Sequence, residues 1–311
     1  MRRNSAFQFA VGCFLAASTF ASTDAMSAGT AAPRQVTPNG PGFAGVYGTM
    51  PASQAEFIST PDAIKSAALS GAPTLIWETL EHGEKVECLD CISVVAPLLY
   101  DSNAKNREIA AWWLRRRVFG VFGQGEVYQQ TLQTLQTSSN PVNRAYAAYA
   151  LGEFFLAPGI AACATALQGD GDARVRTAAA SALGRLNDDG AGALAKGLSD
   201  TDSGVKLAAL ASAARINAFS GLSSVAALTT DSSGDVRRRA VEVLETLHAT
   251  DAVAAVSAAA QSDTDPRVRA EAAHALGTFG DTSAIPVLTK LSTSDSNGFV
   301  RDLAQIALLE L

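Results

Sequence analysis

A basic residue returns seven times along this chain, at Arg107, Arg144, Arg176, Lys206, Arg237, Arg269 and Arg301, with successive gaps of 37, 32, 30, 31, 32 and 32 residues. A period in that range belongs to stacked repeats, because each small unit cannot bury its own apolar face and its neighbours must do so. Counted from each basic residue, position +3 is always alanine, from Ala110 to Ala304, and position +7 is leucine except at Ala213. Position +10 is apolar in every copy but the first, where it is Arg117. Spacings of 3, 4 and 7 place these residues on one stripe of a helix. Alanine held at +3 predicts a close approach between helices.

Each of these helices also marks its own start. Position −4 is Asn103, Asn140, Asp172, Asp202, Ser233, Asp265 and Asn297, all residues whose side chains can accept from the free amides of a first turn. Shorter apolar stretches such as 190–198 and 284–291 lie between them, so each unit reads as two helices. Position −6 is aspartate in six copies, with Ser138 the exception. An acidic column that travels with the basic one predicts a structural ladder between units. Its members would be Asp170, Arg176, Asp200, Lys206, Asp231, Arg237, Asp263, Arg269, Asp295 and Arg301. The rival reading, a row of arginines binding anions, is weakened because the acids would neutralise it.

Residues 175–188 (VRTAAASALGRLND) and 263–281 (DTDPRVRAEAAHALGTFGD) resemble HEAT repeats of the phycobilisome-lyase-like class. The resemblance is strong over 139–311 and looser over 101–138. It implies an all-α fold: a right-handed α-solenoid of helix pairs, about seven units in 101–311, with a concave and a convex face. The class spans binding scaffolds, bilin lyases and a metal hydroxylase, so membership alone fixes no activity. The hydroxylases carry repeated His-Glu pairs as iron ligands. Here His82, His248 and His274 are followed by Gly83, Ala249 and Ala275, which argues against that activity.

Hydrophobic content of 48% with only 7% aromatics suits tightly packed helix pairs. A net charge of −6 argues against the basic face that nucleic acid requires. Residues 1–25 read as a secretory signal, with Arg2 and Arg3 ahead of an apolar run over 7–17 and then small residues. That run is too short to span a bilayer, so a periplasmic or extracellular location without a stable membrane span is expected. Lipid anchoring at Cys13 is the weaker alternative, since Ala10-Val11-Gly12 lacks a leucine. Residues 26–54 are rich in Gly, Pro, Ser and Ala and read as a flexible linker, and 55–100 as a helical N-terminal cap.

Cys88-Leu89-Asp90-Cys91 is the sharpest local motif, and it has three readings. In an exported protein the thiols would pair as a structural disulfide. They could instead act in redox chemistry, although no βαβ context surrounds them. They could also bind metal with His82, although a fourth ligand is not evident. Covalent haem attachment would need His where Ile92 stands. Cys163 lies in an apolar helical stretch and reads as an inert buried thiol.

The resemblance places positions +1, +2 and +5 on the concave face. Trp112, Tyr146 and Tyr149 gather there at the N-terminal end, the middle is small (Ala178, Ser181, Ala208, Ala211), and charge begins at Arg238 and Arg239, with His274 beyond. Exposed aromatics on a curved surface are the residue types that anchor hot spots, so these six residues are candidates for holding a protein or peptide partner. In the plainer reading the aromatics pack beneath the cap, and the arginines form a solvated face with Glu242 and Glu245. No phosphate loop, nucleophile elbow or zinc-protease motif is present, and no catalytic residue, cofactor or metal is predicted. The sequence therefore reads as an exported, non-catalytic interaction scaffold. Its alternatives are a bilin-lyase-like or other chromophore-handling protein, and an envelope thiol-redox or metal-binding protein using Cys88 and Cys91.

Overall fold

The computed structural model describes residues 60–118, 125–186, 188–216 and 219–311. The signal and linker readings of 1–25 and 26–54 lie outside these residues. Among them are sixteen α-helices and no strand. In chain order they are α1 (Pro61–Leu69), α2 (Pro73–His82), α3 (Leu89–Val95), α4 (Ala104–Arg115), α5 (Glu126–Thr137), α6 (Pro141–Phe154), α7 (Ala157–Gly169) and α8 (Ala173–Arg185). They continue with α9 (Asp188–Leu198), α10 (Ser203–Ala213), α11 (Leu222–Ala227), α12 (Gly234–Thr246), α13 (Val253–Ser262), α14 (Pro266–Phe279), α15 (Ile285–Ser294) and α16 (Gly298–Glu310). Even-numbered helices from α4 onward carry the basic column. Each packs on the next even helix and on the odd helix before it, which makes an α-solenoid.

The stripe explains the packing. All seven +3 alanines are fully buried, as are the +7 residues from Leu114 to Leu276. Each leucine enclosed in this way contributes roughly 1.5–3 kcal/mol of burial. Glycines at +8 allow close contacts between successive even-numbered helices. A Cβ on Gly152 would lie 2.7 Å from the Ala182 Cα, and one on Gly277 would lie 2.8 Å from the Ala307 Cα. Six of the seven −4 residues cap their helices through the side chain. Ser233 is the exception and makes no such hydrogen bond.

The ladder is built from two-ended aspartates. Arg144, Arg176, Arg237 and Arg269 turn Nε and Nη2 to Asp170, Asp200, Asp263 and Asp295 of the following unit, at 2.6–3.0 Å. Lys206 meets Asp231 in the equivalent place. Oδ1 of each aspartate also accepts the amide of its own −4 residue, so one side chain fixes its turn and grips the previous unit. The ladder differs from expectation at both ends. Arg144–Asp170 is a rung that the predicted set omits. Arg301, predicted as a rung, donates to the Asp295 carbonyl at 2.6 Å and forms no carboxylate pair among the described residues. Ser138 offers no carboxylate to Arg107, whose guanidinium instead lies 3.9 Å over the Tyr146 ring.

These carboxylates are only 4–10% exposed. Burial pushes Asp200, Asp231 and Asp263 up, yet the charged hydrogen bonds from Arg176, Lys206 and Arg237, with those from their own turns, hold them below the usual carboxylate range. At Asp170 and Asp295 the bond from Arg144 or Arg269 is itself the strongest influence, and both are held low. Bidentate geometry offsets the desolvation that makes enclosed ion pairs costly.

Residues 60–100 form more than a plug. The pair α1–α2 stacks on the first basic unit as later units stack on each other, with α2 against α4 and α1 against α3. Its turn repeats the later pattern, Ser70 Oγ accepting the Ala72 amide at 3.1 Å as Ser138 Oγ accepts that of Asn140 at 3.2 Å. Arg117, the exception in the +10 column, is buried here. It donates to the carbonyls of Trp113, Gly83, Glu84 and Val86 at 2.6–3.2 Å, and its guanidinium lies 3.4 Å from the Trp113 ring centroid. Burial, helped by the neighbouring Arg116 charge, lowers its pKa to about 10. It clamps the 83–87 loop that leads into the cysteine motif.

Candidate partner-binding face

The basic-column helices pack on one another more extensively than the intervening odd-numbered helices do and form one continuous layer, which the family resemblance places on the inside of the curve. On that layer Trp112, Tyr146 and Tyr149 are half-buried. Each tyrosine is held by an arginine from an adjacent unit. Arg107 lies over Tyr146. Arg185 lies 4.6 Å over Tyr149, donates to its hydroxyl at 3.2 Å and pairs with Glu153. Trp112 packs on the core edge. Aromatic rings held by cation–π contacts lose little further freedom when a partner arrives.

The small residues at 178, 181, 208 and 211 continue the face as a smooth strip of half-buried positions. Charge follows on α12 and α14. Arg239 pairs with Glu242, and Arg238 lies 3.6 Å from both Glu242 and Glu271. His274 Nδ1 is 2.8 Å from Glu245, which also accepts from Thr278 at 3.0 Å. The candidates thus fall into two groups separated by the alanine strip: Trp112, Tyr146 and Tyr149 in one, Arg238, Arg239 and His274 in the other. Neither arginine of the second group is a free phosphate grip. Sequence reasoning missed Arg107, Arg185 and Glu153 as the supports of the tyrosines. None stood out, since Arg107 belongs to the basic column and Arg185 and Glu153 to the +9 column, whose other members are Arg116, Arg215, Thr246, Thr278 and Glu310.

Cys88 and Cys91 are joined as a disulfide at the start of α3, with Cα atoms 5.3 Å apart. Cys91 is fully buried and Cys88 is 6% exposed. The His82 ring Nδ1 lies 2.6 Å from the Glu78 carbonyl. Among the described residues no three His, Cys, Asp or Glu side chains converge as a metal site would require. Cys163 is fully enclosed, and burial pushes its thiol up to about 12. No helix among the described residues is long and apolar enough to cross a membrane.

No curated protein matches the chain. Among solved structures it is similar to YibA from Escherichia coli, at 17% identity over 83% of this chain and 95% of that one, with a TM-score of 0.55. It is also similar to importin beta, at 12% identity over 83% of this chain and 47% of that one, with a TM-score of 0.54. At these identities the likeness concerns the fold alone. The model for HEAT repeats matches residues 128–217 and 223–309. The chain with its arginine–aspartate ladder therefore belongs to the HEAT-repeat family.

Proposed function

We propose that this protein is an exported, non-catalytic scaffold whose concave face binds a protein or peptide partner. The observation that carries this reading is the aromatic group of Trp112, Tyr146 and Tyr149, half-exposed on the inner layer with both tyrosines braced by arginines. Large rings already fixed in place give contact area at small entropic cost, which is what hot spots exploit. Export is supported by the signal-like residues 1–25 and is consistent with the paired Cys88 and Cys91. Thiol exchange at that pair is disfavoured, because an attacking thiolate would have to reach sulfur atoms enclosed by the cap.

The test is capture of partners by the full-length protein from its native envelope fraction, beside a Trp112→Ala, Tyr149→Ala double variant with an unchanged circular dichroism spectrum. Loss of a captured partner in the variant is expected. Equal capture by both proteins would remove the aromatic site, and capture of nothing by either would remove the scaffold reading.

A further inference from the structure

A groove of about 470 Å³ runs between α14 and α16 on the charged half of the inner layer. Its apolar walls include Pro266, Phe299 and Leu303, and Glu271, His274 and Arg238 face it. Phe299 is 64% exposed, which is unusual for a phenylalanine beside such a depression.

Glu271 is the anomaly. Every ladder aspartate in this protein meets its cation within hydrogen-bond distance, whereas Glu271 has only Arg238 at 3.6 Å, shared with Glu242. That separation is too long for a hydrogen bond. Glu242 already has Arg239, and Glu245 has His274 and Thr278. Burial raises the Glu271 pKa, and the charges of Glu242 and Glu245 raise it further against the opposing influence of Arg238 and His274. The only other guanidinium at the groove, that of Arg267, is held by Asp265 and lies 3.3 Å from Asp235. Of the three carboxylates here, Glu242 and Glu245 have donors within hydrogen-bond distance, and among the described residues Glu271 has none. No rung of the fold requires a carboxylate at 271, where other units place Ile109, Tyr146, Ala178, Ala208, Arg239 and Leu303.

We infer that this groove binds an arginine or lysine side chain of a partner peptide, its cation on the Glu271 carboxylate and its stem along Phe299 and Leu303. A carboxylate beside an exposed ring provides both a charged hydrogen bond and a π face for such a group. The inference rests on the concave-face reading above and adds to it the chemistry of one contact.

The test passes a pool of short random peptides over the immobilised full-length protein and sequences those retained, for the wild type and for Glu271→Gln, Phe299→Ala and Trp112→Ala/Tyr149→Ala variants of matched thermal stability. The wild type is expected to enrich peptides holding arginine or lysine. Glu271→Gln is expected to weaken representative basic peptides about tenfold, the loss of one charged hydrogen bond, and Phe299→Ala to weaken them also. Retention without basic preference, or a preference that survives Glu271→Gln, overturns this inference. If that retention is still lost in the aromatic double variant, the scaffold reading stands. Retention of no peptide by any form overturns both.

Discussion

Arg117 carries a positive charge into the interior with four carbonyls and an indole ring around it, and among the described residues no carboxylate lies within hydrogen-bond reach. Arg117→Met keeps much of its bulk but withdraws every donor from the Glu84 and Val86 carbonyls. The variant should lose about 2–4 kcal/mol, read as a lower urea midpoint, because partners left unsatisfied in a buried place cost most. An unchanged midpoint would mean that water replaces the guanidinium. In the sequence this residue shows only as a break in an apolar column. The break was legible, but its meaning was not, since three of the four carbonyls it serves lie 31–34 residues away. The aromatic candidates are the reverse case. Their types and column were legible, but the arginines bracing them come from other units, and a periodic alignment does not pair such columns. Glu271 sits in a column that was read, yet its lack of a close donor appears only when Glu242 and Glu245 are seen to have theirs.

At the scale of the helix, alanine at +3 marked the packed stripe correctly, while the +8 glycines, which the periodic reading passed over, also let successive even-numbered helices approach closely. A Cβ at Gly184 would stand 2.3 Å from Ser212 Cβ and 2.8 Å from its Cα. Gly192, in the middle of α9, has nothing within 4 Å of that position. Gly192→Ala should therefore stabilise the protein by about 0.5–1 kcal/mol through helix propensity. Gly184→Ala should destabilise it by about 1–3 kcal/mol despite the same propensity gain. Thermal melts of the two variants decide the matter, and melting shifts of the same sign would contradict the packing account. The α1–α2 pair was legible as helix but not as a stacked unit. Its α2 segment carries neither the basic residue nor a side-chain cap, Ala72 standing where other units place Asn, Asp or Ser.

For the whole solenoid the ladder sets the response to acid. The folded-state pKa values of Asp170, Asp200, Asp231, Asp263 and Asp295 lie below their ordinary values. Their contribution is thus complete above the unfolded carboxylate pKa of about 3.9 and is lost as pH falls through the lower folded values. Glu271 acts in the opposite sense, because a raised folded pKa means that its penalty is relieved on acidification. Five depressed ladder carboxylates, joined by Asp172, Asp265 and Asp281, against one raised should leave stability falling steeply below about pH 4, measured as the urea midpoint against pH. Asp263→Asn should flatten that slope, and an unchanged slope would place the acid sensitivity elsewhere.

The rungs are not equally stiff. Four are two-pronged guanidinium grips that resist both sliding and rotation, whereas Lys206 holds Asp231 by a single ammonium about which the next unit can pivot. The same unit has Ala213 where the others have leucine, and Ala214 where three others have the close-packing glycine. Among the five carboxylate rungs this one restrains its junction least, and it lies between the tyrosine half and the glutamate half of the inner surface. Lys206→Arg should narrow the spread of molecular dimensions seen by small-angle scattering, and an unaltered spread would mean that the bending is shared along the arc. Flexure at that joint would change the distance between the aromatic and acidic ends, as the hinge of a caliper sets the gap between its jaws.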